Sequence, residues 1–146
     1  MRRIALALVV LTLAACATAM KIPAPEIQFA QLVGPDELNW PAEGPIEMQF
    51  ALTVANRAEE PITLRQIQIE STGDGGPYAV QREQYIFNRE IAGGMTDVIE
   101  FWADAYAFRG RGRQLDARAP VTIRGVAFFE APSGNFRRTF ITNLAQ

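Results

Sequence analysis

Histidine is absent from this chain of 146 residues, and cysteine occurs once. Histidine is the commonest general base and the commonest ligand for transition metals. Without it, neither a Ser-His-Asp nor a Cys-His arrangement can be built, and the usual zinc sites are excluded as well. A lone thiol closes no internal disulfide, so an apolar core must hold the fold. An excess of positive charge is missing too: 14 Lys and Arg stand against 16 Asp and Glu, a net charge of −2. That balance argues against a general nucleic-acid binder. Carboxylates remain, and composition alone permits a paired Asp/Glu glycosidase or an oxygen-ligand calcium site. Asp36, Glu37 and Asp74 are the obvious candidates, but they stand among Gly and Pro, where Asp serves to make turns. No catalytic residue, metal or cofactor is expected.

At the amino terminus, Arg2 and Arg3 precede an unbroken apolar run from Ile4 to Leu13 and the small residues Ala14 and Ala15, the layout of a secretory signal peptide. The uncharged stretch continues to Met20, but its strongly apolar part covers about half of the ~20 residues that a spanning helix requires. An uncleaved membrane helix is the alternative. Leu13-Ala14-Ala15-Cys16 resembles the lipobox of bacterial lipoproteins. The resemblance implies that residues 1–15 are removed and that Cys16, alkylated by a diacylglyceryl group, becomes the first mature residue. It further implies an outer-membrane address facing the periplasm, because the position after the Cys is Ala17 rather than an Asp that would favour the inner membrane. Two or three acyl chains hold firmly, at about 0.8 kcal/mol per buried methylene. Residues 16–25 then form a lipidated, Pro-containing tether. At ~3.1 Å per residue for an extended linker, its last nine residues reach roughly 30 Å, which keeps the domain near the bilayer surface.

Beyond the tether, 26–144 is expected to be one all-β domain. From Ile46 to Val54, Ile46, Met48, Phe50, Leu52 and Val54 alternate with Glu47, Gln49, Ala51 and Thr53, the period of a half-buried strand. After "NRAEEP" turns the chain, Ile62 and Leu64 share one parity and Ile67 and Ile69 the other, which predicts a bulge near Gln66. Ile27, Phe29 and Val33 suggest an earlier strand. "YAVQREQYIFN" reads as one further strand, with a helix face through Tyr78, Tyr85 and Ile86 as the alternative. Val98 to Ala105 sets Ile99, Phe101, Ala103 and Ala105 against Val98, Glu100, Trp102 and Asp104. Val121–Glu130 and Phe136–Leu144 flank "APSGN" as a hairpin. Seven strands with short turns predict an antiparallel immunoglobulin/fibronectin-like β-sandwich with Greek-key connections. Its expected core includes Phe50, Leu52, Val54, Ile99, Phe101 and Ile123.

The blocks "FALTVANRAEEPITLRQIQIE", "IAGGMTDVIEF" and "VTIRGVAFFEAPSGNF" resemble the water-stress/hypersensitive-response (WHy) domain of late-embryogenesis-abundant group 2 proteins. Asn56 and Gly125 fall where that family has a strand-ending Asn and a Gly in the penultimate strand, while Arg57 replaces its usual Pro. The resemblance implies a non-enzymatic fibronectin-like sandwich linked to envelope or desiccation stress.

Two features are candidates for binding. Trp40, in a Pro-flanked loop, and Trp102, beside Glu100 and Asp104, offer rings that can stack on a sugar or peptide; a half-covered Trp on a sandwich wall is the ordinary alternative. Arg109, Arg111, Arg113 and Arg118 concentrate a third of the mature chain's 12 basic residues within ten positions. With single glycines between the first three, they read as a basic finger for an anionic lipid phosphate, or as a solvated loop neutralised by Asp104 and Asp116. The partners this predicts are the membrane through Cys16 and an anionic lipid, a glycan or an envelope protein. The functional expectation is a lipid-anchored, non-catalytic binding domain, with a structural subunit of an envelope assembly or a carboxylate-dependent enzyme as alternatives.

Overall fold

The computed structural model describes residues 23–33, 45–73, 76–107 and 119–145. Within them the chain forms eight strands: β1 (Glu26–Gln31), β2 (Pro45–Ala55), β3 (Ile62–Ser71), β4 (Tyr78–Val80), β5 (Glu83–Ile91), β6 (Thr96–Ala107), β7 (Val121–Ala131) and β8 (Gly134–Leu144). No helix occurs among the described residues. The strands build two four-stranded antiparallel sheets, ordered β1-β2-β6-β4 and β5-β3-β7-β8. We call these sheet 1 and sheet 2. Both contribute to one apolar core in a sandwich-like arrangement. Phe50, Leu52 and Val54 of β2 and Ile67, Ile69 and Ile123 from sheet 2 are all fully buried, and Ile99 and Phe101 of β6 are nearly so.

Two-residue alternation explains most of this directly, since every second side chain of a strand points to the same face. The parity switch in β3 is a bulge, with register shifting between Leu64 and Gln66 against both neighbours. Ile62, Leu64, Ile67 and Ile69 are therefore all buried. Arg65, turned outward at the bulge, donates to Glu130 of β7 (2.7 Å) and to Asn88 of β5 (2.8 Å), linking three strands.

The expected count of seven strands is corrected to eight, because "YAVQREQYIFN" is neither one strand nor a helix. Tyr78–Val80 pairs with β6, whereas Glu83–Ile91 pairs with β3 in the other sheet. The chain changes sheets at Gln81–Arg82. There the Arg82 guanidinium is held by both oxygens of Glu70 (2.9 and 3.1 Å), and the Val80 N–H is taken by Ser71 Oγ (2.7 Å). Both partners stand at the end of β3, so the chain is drawn off β6 after three residues.

Asn56 closes one end of the sandwich. Its Nδ2 donates to the carbonyls of Glu60 (2.8 Å), Ile91 (3.1 Å) and Ala92 (3.2 Å), and its Oδ1 accepts from the Ala58 N–H (3.0 Å). The turn between β2 and β3 is thereby locked onto the turn between β5 and β6. The two approach so closely that a Cβ at Gly93 would sit 1.9 Å from the Glu59 carbonyl oxygen. At the opposite flank the Phe140 ring lies on Gly125, where a Cβ would meet it at 2.1 Å, and packs against Phe29 with centroids 5.4 Å apart.

Replacing Asn56 with Ala leaves several buried backbone groups without their partner, and should lower unfolding free energy by on the order of 3 kcal/mol in urea titration. Phe50→Ala empties a fully buried ring site and should cost about 3 to 5 kcal/mol. A change under about 1 kcal/mol in either variant would contradict the role given to that residue.

Candidate functional site

β6 presents its two sets of side chains to different worlds. Ile99, Phe101, Ala103 and Ala105 enter the core, and Val98, Glu100, Trp102 and Asp104 stand outside. Trp102 is 54% exposed and Val98 53%. Across the β2 ladder, Thr53 lies opposite Val98, Ala51 opposite Glu100, Gln49 opposite Trp102 and Glu47 opposite Asp104. Gln49 Nε2 donates to Glu100 Oε2 at 3.3 Å, fixing one carboxylate beside the ring. Trp102 is thus an apolar platform with Glu100 and Asp104 along its own strand and Gln49 directly across.

The four strands of sheet 1 carry Glu26, Glu47, Asp97, Glu100 and Asp104 and no Lys or Arg. Two of the five are neutralised from outside the sheet: Arg57 pairs with Glu26 (2.7 Å) and Arg89 with Asp97 (2.5 Å). Those guanidinium groups hold both carboxyls below the usual range. Glu47, Glu100 and Asp104 have no ion pair among the described residues, so negative charge stays concentrated around Trp102. No group of three metal-ligating side chains comes together among the described residues. What the face can do chemically is attract a cation and cover it with an aromatic surface.

Sheet 2 has the opposite character. Glu70 stands between Arg82 and Arg124, with its Oε1 2.5 Å from Arg124 Nη2. Hydrogen bonds from Arg82 and then Arg124 lower its pKa. This trio lines a shallow depression of about 150 Å³ with Gln68, Val126 and Thr139. Arg65 pairs with Glu130 at 2.6 Å. The cations of this face are largely engaged by its own carboxylates, and the exposed large apolar side chains there, Ile86 and Ile141, lie on its two edge strands.

Of the residues singled out from the sequence, Trp102 is described and stands on the outer face of sheet 1, on β6 between Glu100 and Asp104. Cys16, Trp40, Arg109, Arg111, Arg113 and Arg118 lie outside the described residues, as do Asp36, Glu37, Asp74 and Asp116. Sequence reasoning missed Glu47 and Gln49, which join Trp102 only through the β2–β6 register. It also missed the Glu70, Arg82 and Arg124 trio, whose members are 12 and 54 positions apart.

No protein-family model matches the chain, and no curated protein matches it. Solved structures do. A Northeast Structural Genomics Consortium target is similar at 14% identity with a TM-score of 0.54, covering 84% of this chain and 86% of its own. A crystal structure assigned to an ApaA protein of Bordetella pertussis is similar at 15% identity with a TM-score of 0.54, covering 84% of this chain and 92% of its own. At such identities the likeness is one of fold, and it spans nearly the whole of both partners.

Proposed function

We propose that this chain is a non-catalytic, lipid-anchored domain of the bacterial envelope, held at the outer membrane through Cys16, whose sandwich binds a protein partner through the outer face of sheet 1. The observation that carries the binding part is Trp102, more than half exposed and flanked by Glu100 and Asp104, carboxylates with no ion pair among the described residues. A large aromatic held in water on a rigid strand gives up little entropy when covered, which is why Trp is over-represented where binding energy concentrates. The anchoring part rests on the lipobox resemblance at Leu13–Cys16. The two parts are physically compatible, because strands that carry carboxylates and no Lys or Arg are repelled by anionic headgroups and stay available to a partner.

The finer fold reading belongs to the same proposal. Setting β5 aside, the order β1-β2-β6-β4 over β3-β7-β8 corresponds to the ABED and CFG sheets of a constant-type immunoglobulin sandwich, with β5 added beside the third strand. That correspondence supports the immunoglobulin/fibronectin assignment, and with it the WHy resemblance and a role in envelope stress. Asn56 and Gly125, the positions that carry the resemblance, are the turn clamp and the seat of the Phe140 ring.

Intact-mass analysis of the membrane-extracted protein should give a chain starting at Cys16 with added diacylglyceryl mass. A mature form starting elsewhere, or a Cys16→Ser variant still membrane-bound at unchanged mass, would refute the anchor. For the binding face, a photo-activated crosslinking amino acid placed at position 102 in living cells should yield discrete adducts. The same group at position 141, exposed on the opposite sheet, is the control. Adducts from 141 alone, or from neither site, would overturn the assignment of the face.

A further inference from the structure

β6 is twelve residues long and paired along β2 for eleven of them, yet β4 covers its other side only at Ala105, Tyr106 and Ala107. The direction of the uncovered backbone groups follows from the register. Gln49 O accepts from Leu32 N (2.9 Å), so the odd residues of β2 turn their backbone toward β1 and the even ones toward β6. Each even residue of β2 faces an odd residue of β6, as Phe50 faces Phe101 and Leu52 faces Ile99. The odd residues of β6 are therefore bonded to β2, and the even ones point their N–H and C=O groups to the open side. Val98 supports this: its N–H is capped by Asp97 Oδ1 at 3.0 Å, a side chain doing what a neighbouring strand would otherwise do. Beyond it, Glu100, Trp102 and Asp104 offer three N–H and three C=O groups with no backbone partner among the described residues.

Edge strands are normally blunted by Lys, Pro, bulges or brevity. β5 has a shifted register and Asn88 at φ 52, β8 carries Arg137 and Arg138, and β1 has six residues. Glu100–Asp104 has no Lys, no Pro and an unshifted register with β2. Beneath it the core is already shut, with Tyr85 and Phe87 packed on Phe101 at 4.9 and 5.6 Å, so an added strand need not open the sandwich.

Resting on the partner-binding reading above, we propose that this edge takes up an extended segment of the partner as a further strand, antiparallel to β6 and in line with β4. The same three residues that offer the backbone groups point their side chains onto the outer face, so the incoming segment is read by both. Side chains directly opposite in a ladder touch. Glu100 and Asp104 select cations at two positions four apart, and Trp102 selects an apolar side chain midway between them. A second copy of this chain is disfavoured, because antiparallel pairing centred on Trp102 sets Glu100 against Asp104. The partner segment has the pattern cation-x-apolar-x-cation and spans about 13 Å at ~3.3 Å per residue.

The test uses the full chain in detergent and the labelled peptide acetyl-Thr-Lys-Thr-Val-Thr-Lys-Thr-amide. Before any peptide is added, hydrogen exchange should show the amides of Glu100, Trp102 and Asp104 fast and those of Phe101 and Ala103 slow. Peptide should protect the three fast amides. Replacing both lysines by Glu, or N-methylating the Lys and Val amides that face β6, should abolish binding, whereas N-methylating the third and fifth residues should not. Glu100→Pro removes one edge donor that β2 does not use and should weaken binding by roughly tenfold, more than Glu100→Gln, which keeps the donor. Three amides already slow in the free chain, no binding of the peptide, or binding indifferent to N-methylation would overturn strand addition. Persistent crosslinking from position 102 would then leave the partner-binding face standing, and its loss would remove that reading independently.

Discussion

The ladder between β2 and β6 is the constraint on which the other features depend. It runs unshifted from Pro45 opposite Tyr106 to Ala55 opposite Thr96. One register decides that Phe50 and Phe101 meet in the core, with centroids 6.0 Å apart. It also decides that Gln49 lies across from Trp102, and that Asn56 emerges beside Met95, whose carbonyl accepts its N–H at 2.8 Å. A slip of one residue would turn each of these side chains to the wrong face. The Asn56 clamp stands at the end of this ladder and resists that slip, since its four side-chain hydrogen bonds are available in one alignment only.

Charge is sorted between the sheets with similar economy. Sheet 1 has carboxylates and no cation on its strands, while sheet 2 mixes both signs and pairs Arg65 with Glu130 and Arg124 with Glu70 internally. Exposed ion pairs such as Arg65–Glu130 add little to stability, typically under about 1 kcal/mol each. Their structural effect is to place strands and turns: Arg65 spans the bulge, and Arg82 with Glu70 turns the chain out of sheet 1. The open edge of β6 begins where the chain leaves for the other sheet, beside this ion pair. Had the chain continued past Val80 along β6, the groups of Glu100, Trp102 and Asp104 would be occupied.

Much of this architecture is legible in the sequence because it is written in parity. Ile46–Val54 and Val98–Ala105 alternate almost without exception, and the shift from Ile62/Leu64 to Ile67/Ile69 is the bulge itself. The break between β4 and β5 is written in the same code: Tyr78 and Val80 are even, while Tyr85, Phe87 and Ile91 are odd. Ile86, apolar yet 70% exposed, obscures that switch and makes the stretch resemble one strand or a helix face. The sheet 1 face is half legible. Glu100, Trp102 and Asp104 appear together on one strand, but Glu47 and Gln49 join them only through a pairing between segments more than fifty positions apart. No local rule connects such residues, and nothing in the spacing of Glu70, Arg82 and Arg124 announces their meeting.

That same separation bears on how fast the native state is reached. Partners in the β2–β6 ladder are 41 to 61 positions apart in the chain, and those joining β3 to β7 are likewise remote. Loop-closure entropy must be met before such contacts return any energy, and domains dominated by them fold in milliseconds to seconds rather than microseconds. During that interval the Ile-rich strands are neither buried nor paired. Asp97, Glu100 and Asp104 of β6 then serve a kinetic purpose: they keep the longest described strand of an unfinished molecule from zipping onto the same strand of its neighbour.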